Sequence, residues 1–361
     1  MSGMLLSLLL SVAVGAPSPS PAPARPVPKE PAFLGLAMNL PESAPTAARK
    51  KALETVRGAG VSVFAFELSW RDADAKGVKY DLASITRAAR LLRQSGAVLH
   101  LDLPLVNGRL KLVPWDLSAL PFDDPKLARR LGTLLDALGP ALLDFSTLSL
   151  GNDADTYFAD KPDELRAYRR LFDGTVEFLR RRAPRLMVGV ATAAPTETRA
   201  PLVVTALQRK SPALFYIYAP FLRDKPFTHR PPESIEADWN AILRSAGGRP
   251  VAFTEVSFSS AAENGSSPAK QADFVRRMRR LLQETDRSRL LFARYVPWRD
   301  PEPAPPVSDG LHPLPPGEGT GGEGVSIRRS AFFANRGLQK FDGTPKPAWE
   351  ALRTVPGAPA P

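Results

Sequence analysis

Short apolar runs alternate with amphipathic stretches from Phe33 to Leu352. Eight runs, rich in Val, Leu, Phe or Ala, read as strands: Phe33–Met38, Val61–Leu68, Ala97–Leu103, Leu142–Leu150, Leu186–Ala191, Ala213–Tyr218, Val251–Val256 and Leu290–Val296. Continuous apolar runs of this length suit strands buried on both faces of a parallel sheet. Between and after them come helical periodicities at Pro41–Arg57, Leu82–Gln94, Lys126–Leu138, Asp163–Arg182, Ala200–Arg209, Ile235–Ser245, Ala269–Thr285 and Pro347–Leu352. Punctuation agrees with the pattern: Asp163 opens its helix, and Pro184 closes it after Arg180, Arg181 and Arg182. Strands alternating with helices in this number predict an α/β protein, a single-domain (β/α)8 barrel. A doubly wound sheet is the alternative, but no Gly-rich phosphate loop directly follows any of the apolar runs.

Composition refines this picture. The 361 residues are 43% apolar and 8% aromatic, which excludes general disorder. Lys and Arg number 48 against 37 Asp and Glu, for a net charge of +11. The basic runs RAYRR, FLRRR and RRMRR read as solvated helix faces; without an aromatic platform or a named motif, no nucleic-acid partner is expected. There is no Cys, so disulfides, cysteine nucleophiles and thiolate metal sites are excluded. The three His residues, His100, His229 and His312, lack metal-ligand spacing, and no metal or cofactor is expected.

The 38 prolines cluster. An apolar run, Met4–Val14, precedes Gly15 and Ala16 and reads as an export signal covering residues 1–16, although a basic leading segment is missing. An uncleaved anchor is the alternative, but the run falls short of the roughly 20 residues of a membrane span. The Pro/Ala/Ser stretch 17–31 reads as a tether. The folded domain is placed at 32–356, with a low-complexity insertion at Pro301–Gly324 and a disordered tail at 357–361. A secreted or periplasmic monomer is expected, without stable membrane insertion.

In a (β/α)8 barrel, reactive side chains lie at the carboxyl ends of the strands. Those ends carry Glu67 and Trp70; His100 and Asp102; Asn152, Asp153 and Asp155; Tyr216 and Tyr218; Glu255; and Trp298. Carboxylates, aromatics and an Asn suggest a sugar site. Glycosidic cleavage uses two carboxyl groups across the bond, and aromatic faces suit the apolar faces of sugar rings.

These segments carry a resemblance. LSLGNDAD resembles the Gly-Asn-Glu segment on the fourth strand of the clan of retaining (β/α)8 glycoside hydrolases, which includes galactanases, xylanases, cellulases and mannanases. PVAFTEVSFSS resembles the clan's nucleophile segment on the seventh strand. NGSSPAKQADFVRRM and GLQKFDGTPKPAWEAL resemble the helices that follow. The similarity spans about Phe33–Leu352 and runs closest to galactanase-like and related bacterial proteins. It implies Asp153 as acid/base, Asn152 as a sugar-hydroxyl ligand, Glu255 as nucleophile and Trp298 as a sugar platform, with Tyr216 or Tyr218 near Glu255. Trp70 joins the candidate substrate-binding set.

The chain departs from the clan at Asp153, where the clan has Glu. The shorter arm withdraws the carboxylate by about 1 Å. Retaining pairs stand about 5–5.5 Å apart and inverting pairs about 6.5–9.5 Å. Val256, Ser257 and Phe258 replace a frequent Gly and aromatic. The expectation is therefore a glycoside hydrolase acting on a β-linked saccharide. Its alternative is a glycan-binding barrel that has lost turnover; a purely structural barrel is a third reading. Each of these residues also has a purely structural alternative. Glu255 pairs with a cation such as Arg294; Asp153 caps its loop; Trp70 and Trp298 pack; Tyr216 and Tyr218 share a strand face toward mouth or core; His100 is a satisfied strand histidine; Glu67, Asp102 and Asp155 are structural partners.

Overall fold

The computed structural model describes residues 30–40, 44–74, 82–303 and 322–354. The expected leader, nearly all of the tether, most of the insertion and the tail lie outside the described residues. Eleven strands are described: β1 (Phe33–Leu36), β2 (Val63–Glu67), β3 (Val98–Asp102), β4 (Val106–Asn107), β5 (Leu110–Lys111), β6 (Thr147–Ser149), β7 (Met187–Gly189), β8 (Ala191–Ala193), β9 (Leu214–Tyr218), β10 (Val251–Val256) and β11 (Leu290–Tyr295). Nine of them form a parallel sheet in the order β7-β6-β3-β2-β1-β11-β10-β9-β8. The two ends of that order are halves of one stave, joined through Val190: β7 pairs with β6 and β8 with β9. The sheet thereby closes on itself as a (β/α)8 barrel, as the alternation of runs predicts.

The helices around it are α1 (Thr46–Gly58), α2 (Trp70–Asp74), α3 (Ala83–Gln94), α4 (Pro125–Leu138), α5 (Ala154–Phe158), α6 (Pro162–Arg182), α7 (Pro201–Gln208), α8 (Ser234–Ser245), α9 (Pro268–Glu284), α10 (Gly322–Asn335) and α11 (Pro347–Arg353). Side-chain caps fix the starts of α4 and α9. Asp124 accepts a hydrogen bond from Lys126 N at the head of α4, and Ser267 accepts one from Lys270 N at the head of α9. Both helices carry Pro at the first position, where no N–H is needed.

Strand periodicity divides the core in two. On β3, Leu99 and Leu101 face the helices, while Val98 joins Val63, Phe215, Ala252 and Phe292 inside the barrel. Each fully buried Leu or Phe contributes about 1.5–3 kcal/mol, and the larger cluster between sheet and helices holds most of them.

Three boundaries depart from the sequence pattern. The fourth stave begins at Thr147 rather than Leu142, because Gly139, at φ 31°, ends α4 and Gly139–Leu143 winds into a 3-10 turn. The first helix begins at Thr46, after Pro45 in extended conformation. Helix α10 occupies a segment whose glycines mask its periodicity; it buries Phe332 against the barrel loops.

Two glycines give opposite expectations. A Cβ on Gly189 would lie 2.8 Å from the Phe215 ring in the barrel interior, so Gly189→Ala should cost about 1–3 kcal/mol. Gly174, exposed inside α6, has nothing within 4 Å of that position, so Gly174→Ala should stabilise by about 0.5–1 kcal/mol. Urea denaturation of the two variants checks both signs.

Candidate active site

The inward face of the barrel becomes polar toward the carboxyl ends of its strands. Period two places Val63, Ala65 and Glu67 of β2 on one face, and Val98, His100 and Asp102 of β3 on one face. The two strands are in register, with Glu67 beside Asp102. His100 is fully buried, between the Phe215 and Phe292 rings at 5.7 and 5.6 Å. Its ring nitrogens bridge Thr147 Oγ1 at 2.8 Å and Asp102 Oδ1 at 2.9 Å. From β11, Arg294 Nη2 donates to Asp102 Oδ2 at 3.3 Å, and Arg294 Nε donates to the Thr254 carbonyl at 2.7 Å. Its strand neighbour is Gly35, where a Cβ would come within 2.9 Å of the arginine's own Cβ. The arginine stem therefore needs glycine beside it.

This arrangement sets the local electrostatics. Burial would raise the Asp102 pKa, but His100 and Arg294 outweigh it and hold the carboxyl below its ordinary value. Glu67 moves the other way. Partial burial and the charge of Asp102 push it up, Arg294 opposes them, and the charge of Glu255 adds to the rise.

Glu255 and Asn152 reach the same mouth from opposite staves. On β10 the register slips between Phe253 and Glu255, so that Glu255 pairs with Ile217 of β9, whose side chain packs into the barrel interior. Such irregularities re-aim a side chain at a functional end of a strand. Asn152 follows β6, and its backbone is clasped by the β4–β5 hairpin: Asn152 N donates to Val106 O at 2.9 Å, and Gly108 N donates to Asn152 O at 3.1 Å. Its side-chain Nδ2 then donates to Glu255 Oε1 at 3.0 Å. The other oxygen, Oε2, accepts no hydrogen bond among the described residues. The Arg336 guanidinium, set over the Phe332 and Phe333 rings, feels the same carboxylate: burial pushes its pKa down, and the Glu255 charge acts against that shift.

Asp153 heads α5 in the left-handed region, at φ 47° and ψ 40°, a conformation that Asp tolerates better than most residues. Thr156 Oγ1 donates to its Oδ1 at 3.0 Å, while Oδ2 lies 3.7 Å from where a Cβ on Gly108 would stand. The carboxylate thus sits between its own loop and the hairpin turn, one residue from the side chain that holds Glu255. Asp155 turns away and is buried, accepting from Ala193 N at 2.8 Å and Thr198 Oγ1 at 2.9 Å.

The structure corrects the expected aromatic set. Tyr216 and Tyr218 face the helices rather than the mouth. Tyr216 donates to Gln208 Oε1 at 3.0 Å, and burial raises its pKa to about 12; Tyr218 donates to Asp238 Oδ2 at 2.6 Å. Period two gives the inward positions of β9 to Phe215 and Ile217 instead. Trp298 is buried against Trp349, with ring centroids 5.9 Å apart, and Trp70 is fully buried at the start of α2. Neither offers an open face to a ligand. Arg294 pairs with Asp102, not with Glu255. That pairing was legible only from strand register, which a single sequence does not fix. Among the described residues, no group of three or more His, Asp or Glu is placed to hold a metal ion, and no helix is long and apolar enough to cross a membrane.

No family model and no curated protein matches the sequence. The fold is similar to solved glycoside hydrolase barrels. A variant of the GH5_18 protein from Streptomyces cattleya, in complex with Manβ1-4GlcNAc, superposes with TM-score 0.64 at 16% identity, over 91% of this chain and 82% of that one. Xylanase 10B from Thermotoga maritima gives TM-score 0.56 at 11% identity, over 90% and 94%. The exo-β-1,4-mannosidase Op5Man5 from Opitutaceae bacterium strain TAV5 gives 0.59 at 16%, over 90% and 59%. At these identities the likeness is one of fold.

The raised pKa of Glu67 carries a stability sign. A carboxyl whose folded pKa exceeds its unfolded value disfavours folding as pH rises through that interval. Glu67→Gln should therefore leave stability unchanged below about pH 4 and raise it at pH 7 by less than about 1 kcal/mol, because the side chain is open to water. Urea denaturation at the two pH values measures the difference.

Proposed function

We propose that the protein is a glycoside hydrolase acting on a β-linked poly- or oligosaccharide, with Glu255 as nucleophile and Asp153 as acid/base. The observation that carries this reading is the 3.0 Å hydrogen bond from Asn152 Nδ2 to Glu255 Oε1, which joins the fourth and seventh staves across the barrel mouth. Asp153 follows Asn152 directly, at the carboxyl end of the same stave. The similarity of the barrel to solved β-glycosidases supports the same class.

In the proposed reaction, a Glu255 oxygen attacks the anomeric carbon as the glycosidic C–O bond breaks. Asp153 gives its proton to the departing oxygen. Asp153 then takes a proton from water, whose oxygen displaces Glu255 from the anomeric carbon and restores both groups. Asn152 holds one oxygen of Glu255 and so orients the other for attack. The apolar Met4–Val14 run, followed by Gly15 and Ala16, supports export, which would place the enzyme with polymeric glycans outside the cytoplasm.

A second reading, a glycan-binding barrel without turnover, is favoured by one observation: Thr156 already ties the short Asp153 arm to its own loop. Hydrolysis assays separate the two readings. With aryl β-glycosides and β-linked galactan, mannan, xylan and glucan, the wild type should release sugar. Glu255→Gln should remove that turnover, and Asp153→Asn should lower it by about 10²–10⁴-fold. Asp153→Glu should retain or raise it. Absence of release by both the wild type and Asp153→Glu, with glycan binding intact, supports the binding reading and contradicts the enzyme.

A further inference from the structure

The chain holds five tryptophans, and four are buried: Trp70, Trp239, Trp298 and Trp349 are 0–3% exposed. The fifth, Trp115, is 70% exposed. Exposing an indole forfeits the burial energy that the other four gain. Surface mobility does not explain the exposure, because the ring is held from one side. The Arg71 guanidinium lies 3.7 Å from its centroid, and Arg71 is itself fixed by hydrogen bonds to the Val113 and Lys111 carbonyls at 3.2 and 2.6 Å. A cation stacked on one face and tethered by its own donors orients the ring.

The position of this tryptophan matters as much as its exposure. Trp115 lies in the segment between β3 and α4, which leaves the barrel at the carboxyl end of β3, directly after Asp102. The same segment contains the β4–β5 hairpin, whose Val106 and Gly108 clasp the backbone of Asn152. The hairpin also exposes Leu110, at 49%. One loop thus both braces the candidate catalytic rim and presents an indole to solvent at the same end of the barrel. Lys111 steadies it further by donating to the Leu120 carbonyl at 2.5 Å.

We propose that Trp115 is a stacking platform for a pyranose ring of the glycan, beyond the sugar that Glu255 engages. The ligand class is an extended β-linked chain whose ring C–H faces are apolar. The energetic logic is preorganisation: Arg71 already fixes the indole, so a sugar face gains contact area without ordering a free side chain. The proposal deepens the hydrolase reading and rests on it, but its binding arm stands on its own. The platform replaces the aromatic surface that the buried Trp298, Tyr216 and Tyr218 do not supply.

The test uses the full chain, Trp115→Ala and Trp115→Phe, with galactan, mannan, xylan and β-glucan as probes in affinity electrophoresis and tryptophan fluorescence. At least one polymer should retard the wild type and blue-shift its emission, since Trp115 is the indole open to solvent. Trp115→Ala should lose the retardation and the shift, and Trp115→Phe should recover most of the retardation. On polymer, Trp115→Ala should raise KM about tenfold, one aromatic contact of about 1.4 kcal/mol, while kcat on small aryl glycosides stays unchanged. Equal retardation of wild type and Trp115→Ala overturns the platform, and so does failure of every polymer to bind the wild type. Aryl-glycoside turnover that depends on Glu255 would then leave the hydrolase reading standing alone. Conversely, Trp115-dependent binding without any turnover keeps the platform and removes the hydrolase.

Discussion

A hydrogen bond spans the mouth of this barrel, from the amide of Asn152 to the carboxylate of Glu255. The features around it bring its two ends together. Closure of the sheet through Val190 sets the fourth and seventh staves across from one another. The slip in β10 aligns Glu255 with an inward position, and the β4–β5 hairpin pins the backbone of Asn152. A carboxylate at the end of an apolar strand is costly without a partner. Here the partner is a neutral amide, which satisfies one oxygen without quenching the charge.

Below that bond runs a second polar line, from Thr147 through His100 and Asp102 to Arg294 and the Thr254 carbonyl. It links β6, β3, β11 and β10 inside a barrel otherwise filled by apolar side chains such as Phe215, Phe292, Val63 and Ile217. Every member has a partner, so the line stiffens the interior at the level where chemistry would occur. It also gives Arg294 to Asp102; among the described residues, neither Glu67 nor Glu255 forms a direct ion pair with an arginine. Partial burial first, and then the negative charges of Asp102 and Glu255, raise the pKa of Glu67 against the pull of Arg294. Sites of this kind trade stability for an electrostatic field that a ligand can use.

The sequence displayed the barrel through its alternation of runs, and all eight staves lie within or overlap the expected segments. The carboxyl-end rule also brought Asn152, Asp153 and Glu255 to one end. The aromatic set was not legible, for a physical reason. Period two shows that Tyr216 and Tyr218 share a face but does not say which face looks inward, and the answer depends on Phe215 filling the interior. Trp298 sits at a strand end, yet α11 arrives from the far end of the sequence and covers it with Trp349. Trp115 gave no sequence signal because its exposure depends on Arg71 and on the fold of a hairpin only four residues of which are strand. Helix α10 was hidden by its glycine-rich start.

In the proposed reaction, Glu255 is the group that meets the anomeric carbon. Incubation with activated 2-deoxy-2-fluoro β-glycosides, followed by intact-mass measurement and peptide mapping, tests it most directly. The expected result is a mass gain of one fluorosugar per chain, carried by the peptide that contains Glu255. A label on Glu67 or Asp102 instead, or no label with fluorosugars matched to a glycoside that the protein cleaves, would contradict it.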